Sequence, residues 1–293
     1  MTNQSKAYIF ALIAVLFWST VATAFKIALS LTNILHIIFI SSFVSLIILT
    51  AIILYQGKFK QIFSTSRSNL ARSAFLGFLV PFGYYLILFK AYSILPAAEA
   101  LTLNYTWAVA VVLLSIPLLH QKISLKGFLA LMLSFFGVIL IATRGDVMAM
   151  HFHNPAGSAL ALGSSIVWAL YWILNVRDKR DEIIKLFFNF LFGCIFTALI
   201  IIFSSGLSFP STNGLLASIY IGCFEMGFTF IVWLKAMQLT DSTAKIGNLI
   251  FLSPFLSMIF IQIFLHETIL LSYLIGLLLI IGGIVLQRLT HKG

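Results

Sequence analysis

Charged side chains are scarce in this chain of 293 residues. Asp, Glu, Lys and Arg make up 9% of it and hydrophobic residues 61%, whereas soluble domains average about 25% charged residues. So apolar a chain cannot cover a water-facing surface, which excludes an ordinary soluble domain. Long polar stretches are also missing. The longest polar connections are 55–69 and 144–156, so no room remains for a separate catalytic lobe.

Cysteine and the common catalytic motifs are nearly absent. Cys194 and Cys223 both lie in apolar runs, so no disulfide framework is expected. Phosphate-binding loops, HExxH and nucleophile elbows are missing, which argues against an enzyme and against ATP-driven pumping. We expect no cofactor and no metal, since His151 and His153 lack cysteine or carboxylate partners. The net charge of +10 comes without a basic face, so no nucleic acid is expected.

What the chain does contain is a series of apolar stretches of about 20 residues, the length of a membrane-spanning helix. Charges and turn residues divide them into ten predicted helices. These cover 7–29, 32–54, 70–93, 97–119, 124–143, 157–176, 184–206, 214–237, 243–265 and 269–287. Lys6 and Ala22-Thr23-Ala24 imitate a signal peptide. We expect this first helix to be retained, because Trp18 has a counterpart in Trp168.

The two halves of the chain match each other at a nearly fixed offset. The matches are Trp18 with Trp168, Lys90-Ala91 with Lys235-Ala236, Gln121 with Glu267, and Gly137 with Gly283. Such an offset, held over more than a hundred residues, indicates a duplicated unit. We predict an all-α membrane protein of ten transmembrane helices, with five-helix repeats over 1–144 and 155–293. Because five is odd, the second copy enters the bilayer upside down, as a 5+5 inverted-topology repeat.

Lysine and arginine predict the orientation. With both termini cytoplasmic, inner segments carry 15 of the 18 basic residues. The three others are Arg144, in an outer connection, and Lys26 and Lys90, near outer helix ends. Lys26, Lys90 and Glu99 suggest either a gate salt bridge or, for the lysines, snorkelling to the interface. Glu267, at an outer turn, is expected to be a helix cap or part of a structural ion pair.

Several short motifs together resemble a known family. They are Phe17-Trp18-Ser19-Thr20, Phe89-Lys90-Ala91 followed by Leu95-Pro96-Ala97, Asn104-Tyr105-Thr106-Trp107, and Leu252-Ser253-Pro254 followed by Leu265-His266-Glu267. Their order and spacing resemble the EamA-type transporters of the drug/metabolite transporter (DMT) superfamily. The segment beginning at Asn104 is similar to that of bacterial aromatic amino acid exporters. Ala108 and Gln121 depart from the family, which often has proline and glutamate there. The resemblance implies a ten-helix carrier of small metabolites.

Glu225 is the most informative single residue. It lies near the middle of the eighth predicted helix, between Gly222 and Gly227. A carboxylate is costly in hydrocarbon, so it must face a cavity, pair with another group or bind a proton. Two interpretations remain open: a structural acid bonded between helices, or a site for a proton or a substrate amine. At an offset of 145 the first repeat has Val80, so Glu225 breaks the repeat symmetry.

The other candidate substrate-binding residues are polar or aromatic and lie at membrane depth. They are Trp18, Tyr84, Asn104, Trp168, Tyr171, Trp172, Asn175, Thr229 and Asn248. Four of these residues share one face of the sixth predicted helix, either as a cavity wall or as an interfacial belt: Trp168, Tyr171, Trp172 and Asn175. One of Tyr84 and Tyr85 is expected to face the cavity. The two asparagines outside that face either bond between helices or contact substrate.

Small residues predict close helix packing in the last helix and its repeat partner. Gly276, Gly282 and Gly283 lie in the former and Gly137 in the latter. We favour packing within the monomer over a dimer contact, and leave monomer and dimer open as oligomeric states.

The predicted function is secondary transport, with export the expected direction, of small organic metabolites by alternating access. Amino acids or related amines are the favoured substrates, in the inner membrane of a cell. A multidrug or organic-cation/proton antiporter is the alternative. A membrane-embedded enzyme would need clustered titratable groups, and a channel would need polar stripes. The expected partners are a small-molecule substrate, the lipid bilayer and, as an alternative ligand of Glu225, a proton.

Overall fold

Every regular element in the described part of the chain is a helix. The computed structural model describes residues 2–119, 125–148, 153–204, 210–240, 246 and 249–290. Within these ranges there is no strand. Together with the apolar helices, this confirms the prediction of an all-helical, multi-pass membrane protein.

Fourteen α-helices lie within the described ranges, and several are parts of one longer apolar stretch. In chain order they are α1 (Asn3–Leu31), α2 (Ile34–Tyr55), α3 (Phe59–Phe63), α4 (Arg67–Gly77), α5 (Tyr84–Ile94), α6 (Ala97–Asn104), α7 (Trp107–Leu119), α8 (Leu125–Ala142), α9 (Pro155–Val176), α10 (Glu182–Ser204), α11 (Thr212–Ile221), α12 (Phe228–Leu239), α13 (Ser253–Leu265) and α14 (Leu271–Thr290). Two irregular segments, Phe78–Gly83 and Gly222–Gly227, and a 3-10 turn, Leu249–Leu252, join neighbouring helices.

Eight stretches of the described residues are long and apolar enough to cross a bilayer. They are Asn3–Leu31, Ile34–Tyr55, Arg67–Ile94, Ala97–Leu118, Leu125–Ala142, Pro155–Asn175, Glu182–Ser204 and Thr212–Leu239. Leu249–Leu265 and Leu271–Leu286 are shorter apolar helices. All ten follow the order of the predicted helices. Since two of them are short for a bilayer, the count of ten spans stays a prediction.

The third and eighth stretches share an unusual construction. Arg67–Ile94 and Thr212–Leu239 each contain 28 residues. Each is interrupted by a six-residue irregular segment that ends in glycine, Phe78–Gly83 in one and Gly222–Gly227 in the other. The first is a kink between two helices, because Val80 has non-helical backbone angles (φ −144°, ψ 122°), and the second is π-helical. The two segments start 144 residues apart, so their register places Pro81, rather than Val80, opposite Glu225. π-Helical turns are frequent at functional sites.

By backbone contacts the chain forms two compact units. Unit 1 comprises Met1–Leu86 and Asp178–Phe260, and unit 2 comprises Ile87–Arg177 and Ile261–Gly293. Each unit therefore combines segments from both halves of the sequence.

In unit 1, helix α2 packs closely against the π-helical segment Gly222–Gly227 and α11. A Cβ at Gly222 would come within 2.7 Å of the Ser41 carbonyl oxygen. The Ser45 hydroxyl donates a hydrogen bond to the Gly222 carbonyl (3.0 Å), and the Ser41 hydroxyl donates to the Ser218 carbonyl (2.8 Å). These bonds give partners to carbonyls near an irregular turn at membrane depth, where water is not present to do so.

In unit 2, α8 and α14 pack with their backbones close together. A Cβ on Gly137 would come within 2.5 Å of the Gly276 carbonyl oxygen, and one on Gly276 within 2.8 Å of the Gly137 carbonyl oxygen. Gly283 lies against Ala130 and Ser134 in the same way, whereas nothing lies within 4 Å of a Cβ at Gly282. The predicted packing inside the chain is therefore present at three of the four glycines.

The fourth predicted helix is also divided in the structure. The helix predicted over 97–119 forms α6 and α7, separated by Tyr105 and Thr106. The Thr106 hydroxyl bonds to the Leu103 carbonyl (2.7 Å) and to the Ser165 hydroxyl (3.0 Å). Threonine hydroxyls compete with backbone donors for helix carbonyls, which is a physical reason for the turn here.

Candidate functional site

Glu225 lies in the π-helical segment Gly222–Gly227, at the middle of the 28-residue stretch Thr212–Leu239. Glu225 is buried, with 9% of its surface exposed. The hydroxyl of Tyr85 donates a hydrogen bond of 2.9 Å to its Oε1 atom. Among the described residues, this tyrosine is the hydrogen-bond partner that Glu225 has, and no described Lys, Arg or His forms an ion pair with it.

The kinked segment Phe78–Gly83 positions the tyrosine. It ends at Gly83, so α5 begins at Tyr84 and carries Tyr85 in its first turn. Tyr85 is 1% exposed and packs edge-on against Phe25 of α1 (6.3 Å between ring centroids) and against Tyr84 (4.7 Å). Both tyrosines are buried, and Tyr85 is the one that bonds to Glu225. Two irregular turns of unit 1 thus supply the two members of this pair.

Trp18 packs among aromatic rings of α12 in unit 1. Its ring lies 5.4 Å from that of Trp233 and 6.1 Å from that of Phe230, between centroids. The neighbouring Ser19 is buried, and its carbonyl accepts a bond of 2.6 Å from the Ser257 hydroxyl. Trp18 itself is half-buried, so an accessible part of its ring remains.

Thr229 follows Glu225 by one turn but uses its hydroxyl locally. It is fully buried and donates to the carbonyl of Phe224. The hydroxyl is thus bonded within the turn that carries Glu225, and a role of Thr229 in substrate binding stays a prediction. Asn248, also predicted to bind substrate, lies outside the described residues.

The remaining predicted site residues lie in unit 2. Trp168, Tyr171 and Trp172 of α9 form a cluster with ring centroids 5.9–6.1 Å apart. Trp168 and Trp172 are half-buried, whereas Tyr171 and Asn175 are buried. The amide of Asn104 in α6 donates to the Ser164 hydroxyl of α9 at 2.9 Å, which is the interhelical bond considered from the sequence. The structure thus brings the three aromatic rings of α9 together, and the role of these residues in substrate binding stays a prediction.

Glu99 forms an ion pair that the sequence did not reveal. Its side chain is fully buried, and its Oε2 accepts bonds from Arg144 Nε (3.1 Å) and the Tyr273 hydroxyl (3.3 Å). Instead of a gate with Lys26 or Lys90, the described bonds give a pair inside unit 2. Glu267 accepts from the backbone N–H of Ala97 at 2.7 Å, so it caps α6. The sequence did carry one signal for this pair: Arg144 is the one basic residue in the predicted outer connections.

A second polar cluster lies between α9 and α10 in unit 1, outside the apolar stretches. The Asp178 side chain is 1% exposed and receives two hydrogen bonds of 3.0 Å from Arg180 Nε. Arg180 also donates to the Ser73 hydroxyl (2.9 Å), and Lys58 pairs with Asp181 at 2.6 Å. Burial alone would raise the pKa of Asp178, but the bonds and charge of Arg180 hold it below its ordinary value.

Within the described ranges there is no group of three or more His, Cys, Asp or Glu side chains that could hold a metal. His151 lies outside those ranges. Cys194 and Cys223 are both free thiols, the first buried and the second half-buried.

Comparisons with known proteins agree on a transporter. A model of the EamA-like transporter family matches residues 5–143 and again 155–288. An uncharacterized transporter of Clostridium kluyveri is 26% identical over 99% of this chain and 95% of its own length. The aromatic amino acid exporter YddG of Ancylobacter novellus is 24% identical over 72% of this chain and 74% of its own. One crystal structure, 21% identical, superposes with a TM-score of 0.68 over 98% of both chains, which shows a shared fold.

Proposed function

The chain belongs to the EamA-like transporter family, and from that premise we propose that it is a secondary carrier of small organic metabolites, with amino acids or related amines as substrates. Relatives along most of its length are described as transporters, and one as an aromatic amino acid exporter. Export is the proposed direction. The carrier would work in a cell's inner membrane, with both termini in the cytoplasm.

The proposed mechanism is alternating access by two inverted five-helix repeats. Two observations support the duplication. The family model matches the chain twice, at 5–143 and 155–288. The third and eighth apolar stretches have equal lengths and are interrupted at corresponding positions. An irregular turn in the middle of a membrane helix is tolerated where it is buried in protein or lines a cavity.

The observation that carries the proposal is the buried Glu225, bonded by Tyr85 at the middle of its apolar stretch. A carboxylate is expensive at this depth and is retained where it binds a proton, a cation or a polar partner. In the proposed carrier, Glu225 binds a proton or the ammonium group of the substrate. An organic-cation/proton antiporter is the second candidate, and the same carboxylate favours it.

The test compares wild type with Glu225→Gln in proteoliposomes, over a range of pH, using a panel of radiolabelled amino acids and amines. Glutamine keeps the size of the side chain but cannot carry the charge. We expect saturable flux in the wild type and a loss of flux, or of its pH dependence, in the variant. Glu182→Gln is the matched control, because that carboxylate is half exposed at the start of α10. Equal rates for wild type and Glu225→Gln at every pH would refute the role of Glu225.

A further inference from the structure

At the depth of Glu225, the described residues of unit 1 supply negative charge only. Glu225 lies thirteen residues from Thr212, the start of its apolar stretch, which is about 20 Å of helix rise. The other described acids lie in connections or in the first turn of a helix. These are Glu99, Asp146, Asp178, Asp181, Glu182 and Glu267. Glu225 is therefore the acid that the described residues place at mid-depth.

The basic residues of unit 1 lie far from that depth. Within its apolar stretches, every described lysine and arginine is within five residues of an end. These residues are Lys6, Lys26, Arg67, Arg72, Lys185 and Lys235. Consistent with this placement, the ion pairs of the described residues in unit 1 join Lys58, Arg180 and Lys185 to acids of the α9–α10 connection and the first turn of α10. Among the described residues, the middle of unit 1 thus offers a negative group and no positive one.

The two oxygens of Glu225 are used differently. Oε1 accepts the bond from Tyr85, whereas the described residues supply no donor to Oε2. A carboxylate has about four acceptor positions, so most of its capacity remains for a ligand. The rings of Phe25 and Tyr84 pack on Tyr85, and aromatic faces also attract cations. Tyr85 therefore holds the carboxylate in place through Oε1, and Oε2 is available to bind a ligand.

We propose that the Glu225 carboxylate, positioned by Tyr85, binds the protonated amine of a substrate that carries no carboxylate of its own. The inference rests on the proposed carrier function and narrows its substrate class. A cationic amine neutralises the buried charge. A zwitterionic amino acid adds a second carboxylate, for which the described residues at the middle of unit 1 supply no basic side chain. An unpaired buried charge is strongly unfavourable.

The experiment uses three probes that share one ring system: tryptamine has only the amine, L-tryptophan has the amine and the carboxylate, and indole-3-propionate has only the carboxylate. Binding to the purified full chain is measured by thermal stabilisation, and transport by counterflow in proteoliposomes. We expect tryptamine to bind at least about tenfold more tightly than L-tryptophan, because the second carboxylate of L-tryptophan is left without a partner. Indole-3-propionate should not bind. Glu225→Gln should weaken tryptamine binding at least about tenfold and leave a residual, measurable binding of the indole ring.

Tyr85→Phe tests the positioning role. It should weaken tryptamine binding roughly tenfold and shift the pH profile of transport, because the carboxylate loses its donor. In the Glu225→Gln background the same substitution should have no further effect on binding or on the pH profile. Tyr92→Phe is the control, since Tyr92 is also a buried tyrosine of α5. An equal additional loss from Tyr85→Phe in both backgrounds would mean that Tyr85 acts only through packing.

The outcomes separate this inference from the carrier proposal. Equal binding of tryptamine and L-tryptophan, or no stabilisation by tryptamine, overturns the amine assignment. If L-tryptophan is nevertheless transported saturably, the carrier proposal stands. The carrier proposal itself is overturned if none of the amino acids and amines in the panel shows saturable flux. Cooperative unfolding of the same purified protein shows that it was folded in this test.

Discussion

Asp178 shows how a single buried acid is stabilised at the edge of the apolar region. Its side chain is 1% exposed, and Arg180 donates to both of its oxygens at 3.0 Å. Lys185, equally buried, donates to the Asp178 carbonyl at 3.0 Å. Removing one partner of a buried pair leaves an uncompensated charge, which is more costly than losing an exposed pair.

We predict that Asp178→Asn lowers the stability of the protein near neutral pH by about 3 kcal/mol. Because the pKa of Asp178 is lowered in the folded state, its stabilisation is present above the ordinary value of about 3.9 and is lost as the pH falls through the folded value. The difference between wild type and variant should therefore narrow below about pH 4. Thermal unfolding in detergent at a series of pH values measures it.

Asp181→Asn is the matched control for that experiment. Asp181 lies in the same connection, and its pair with Lys58 is about one-third exposed on both sides (31% and 30%). Exposed pairs contribute about 0–1 kcal/mol, so this loss should be several-fold smaller. Equal losses for the two variants would contradict the importance of burial at Asp178.

The sequence identifies Glu225 but not its partner. An acid inside a long apolar run stands out by composition alone, whatever the helix does. Tyr84 and Tyr85 are adjacent, and neighbouring residues on a helix point about 100° apart. The kink at Val80, within Phe78–Gly83, also changes the helical phase of the residues that follow it. The choice between the tyrosines therefore depends on a turn that hydrophobic periodicity does not report.

At the scale of helices, the contact of α8 with α14 is the most tightly built. Gly137 and Gly276 face each other's carbonyl oxygens, and a Cβ on Gly276 would also come within 2.5 Å of Ile141. Without a hydrophobic effect between helices in lipid, close backbone approach at small residues provides packing that larger residues would prevent.

We predict that Gly276→Val destabilises the protein by about 1–3 kcal/mol, because the added methyl groups overlap a backbone and cannot be accommodated by a side-chain rotation. Gly282→Val is the control on the same helix, since nothing lies within 4 Å of a Cβ there. Thermal or denaturant unfolding in the same detergent measures both. If Gly282→Val destabilises as much as Gly276→Val, loss of glycine itself, rather than the contact with α8, is responsible.

The interrupted helices could be predicted only in part. Pro81 and Gly83 signal a bend in the third stretch, because proline cannot donate a helix hydrogen bond. The equivalent segment Gly222–Gly227 has no proline, and its two glycines do not by themselves specify a π-helical turn. What stabilises it is tertiary: the Ser45 hydroxyl of α2 bonds to the Gly222 carbonyl. No local pattern in the sequence shows that contact.

At the scale of the whole molecule, hydrogen bonds within each unit join connections that the sequence predicts to lie on the same side of the membrane. In unit 1, Lys58 and Arg180 link segments that are both predicted to be cytoplasmic. In unit 2, Glu267 caps α6 and Arg144 pairs with Glu99, all near connections predicted to be outside. The duplication was visible in the sequence because matching residues keep their spacing. The division into units was not, because each unit draws segments from both halves.

The proposed inverted repeat predicts that repeat-related connections lie on opposite sides of the membrane. Ser64 follows the second predicted helix and Thr212 follows the seventh, and both are exposed. In a background of Cys194→Ser and Cys223→Ser, a membrane-impermeant maleimide added to intact cells should label Thr212→Cys and Asp146→Cys. Ser64→Cys and Lys179→Cys should be labelled only after permeabilisation, because basic connections stay inside. Labelling of Ser64→Cys and Thr212→Cys from the same side would contradict the inversion, and with it the alternating access proposed for this carrier.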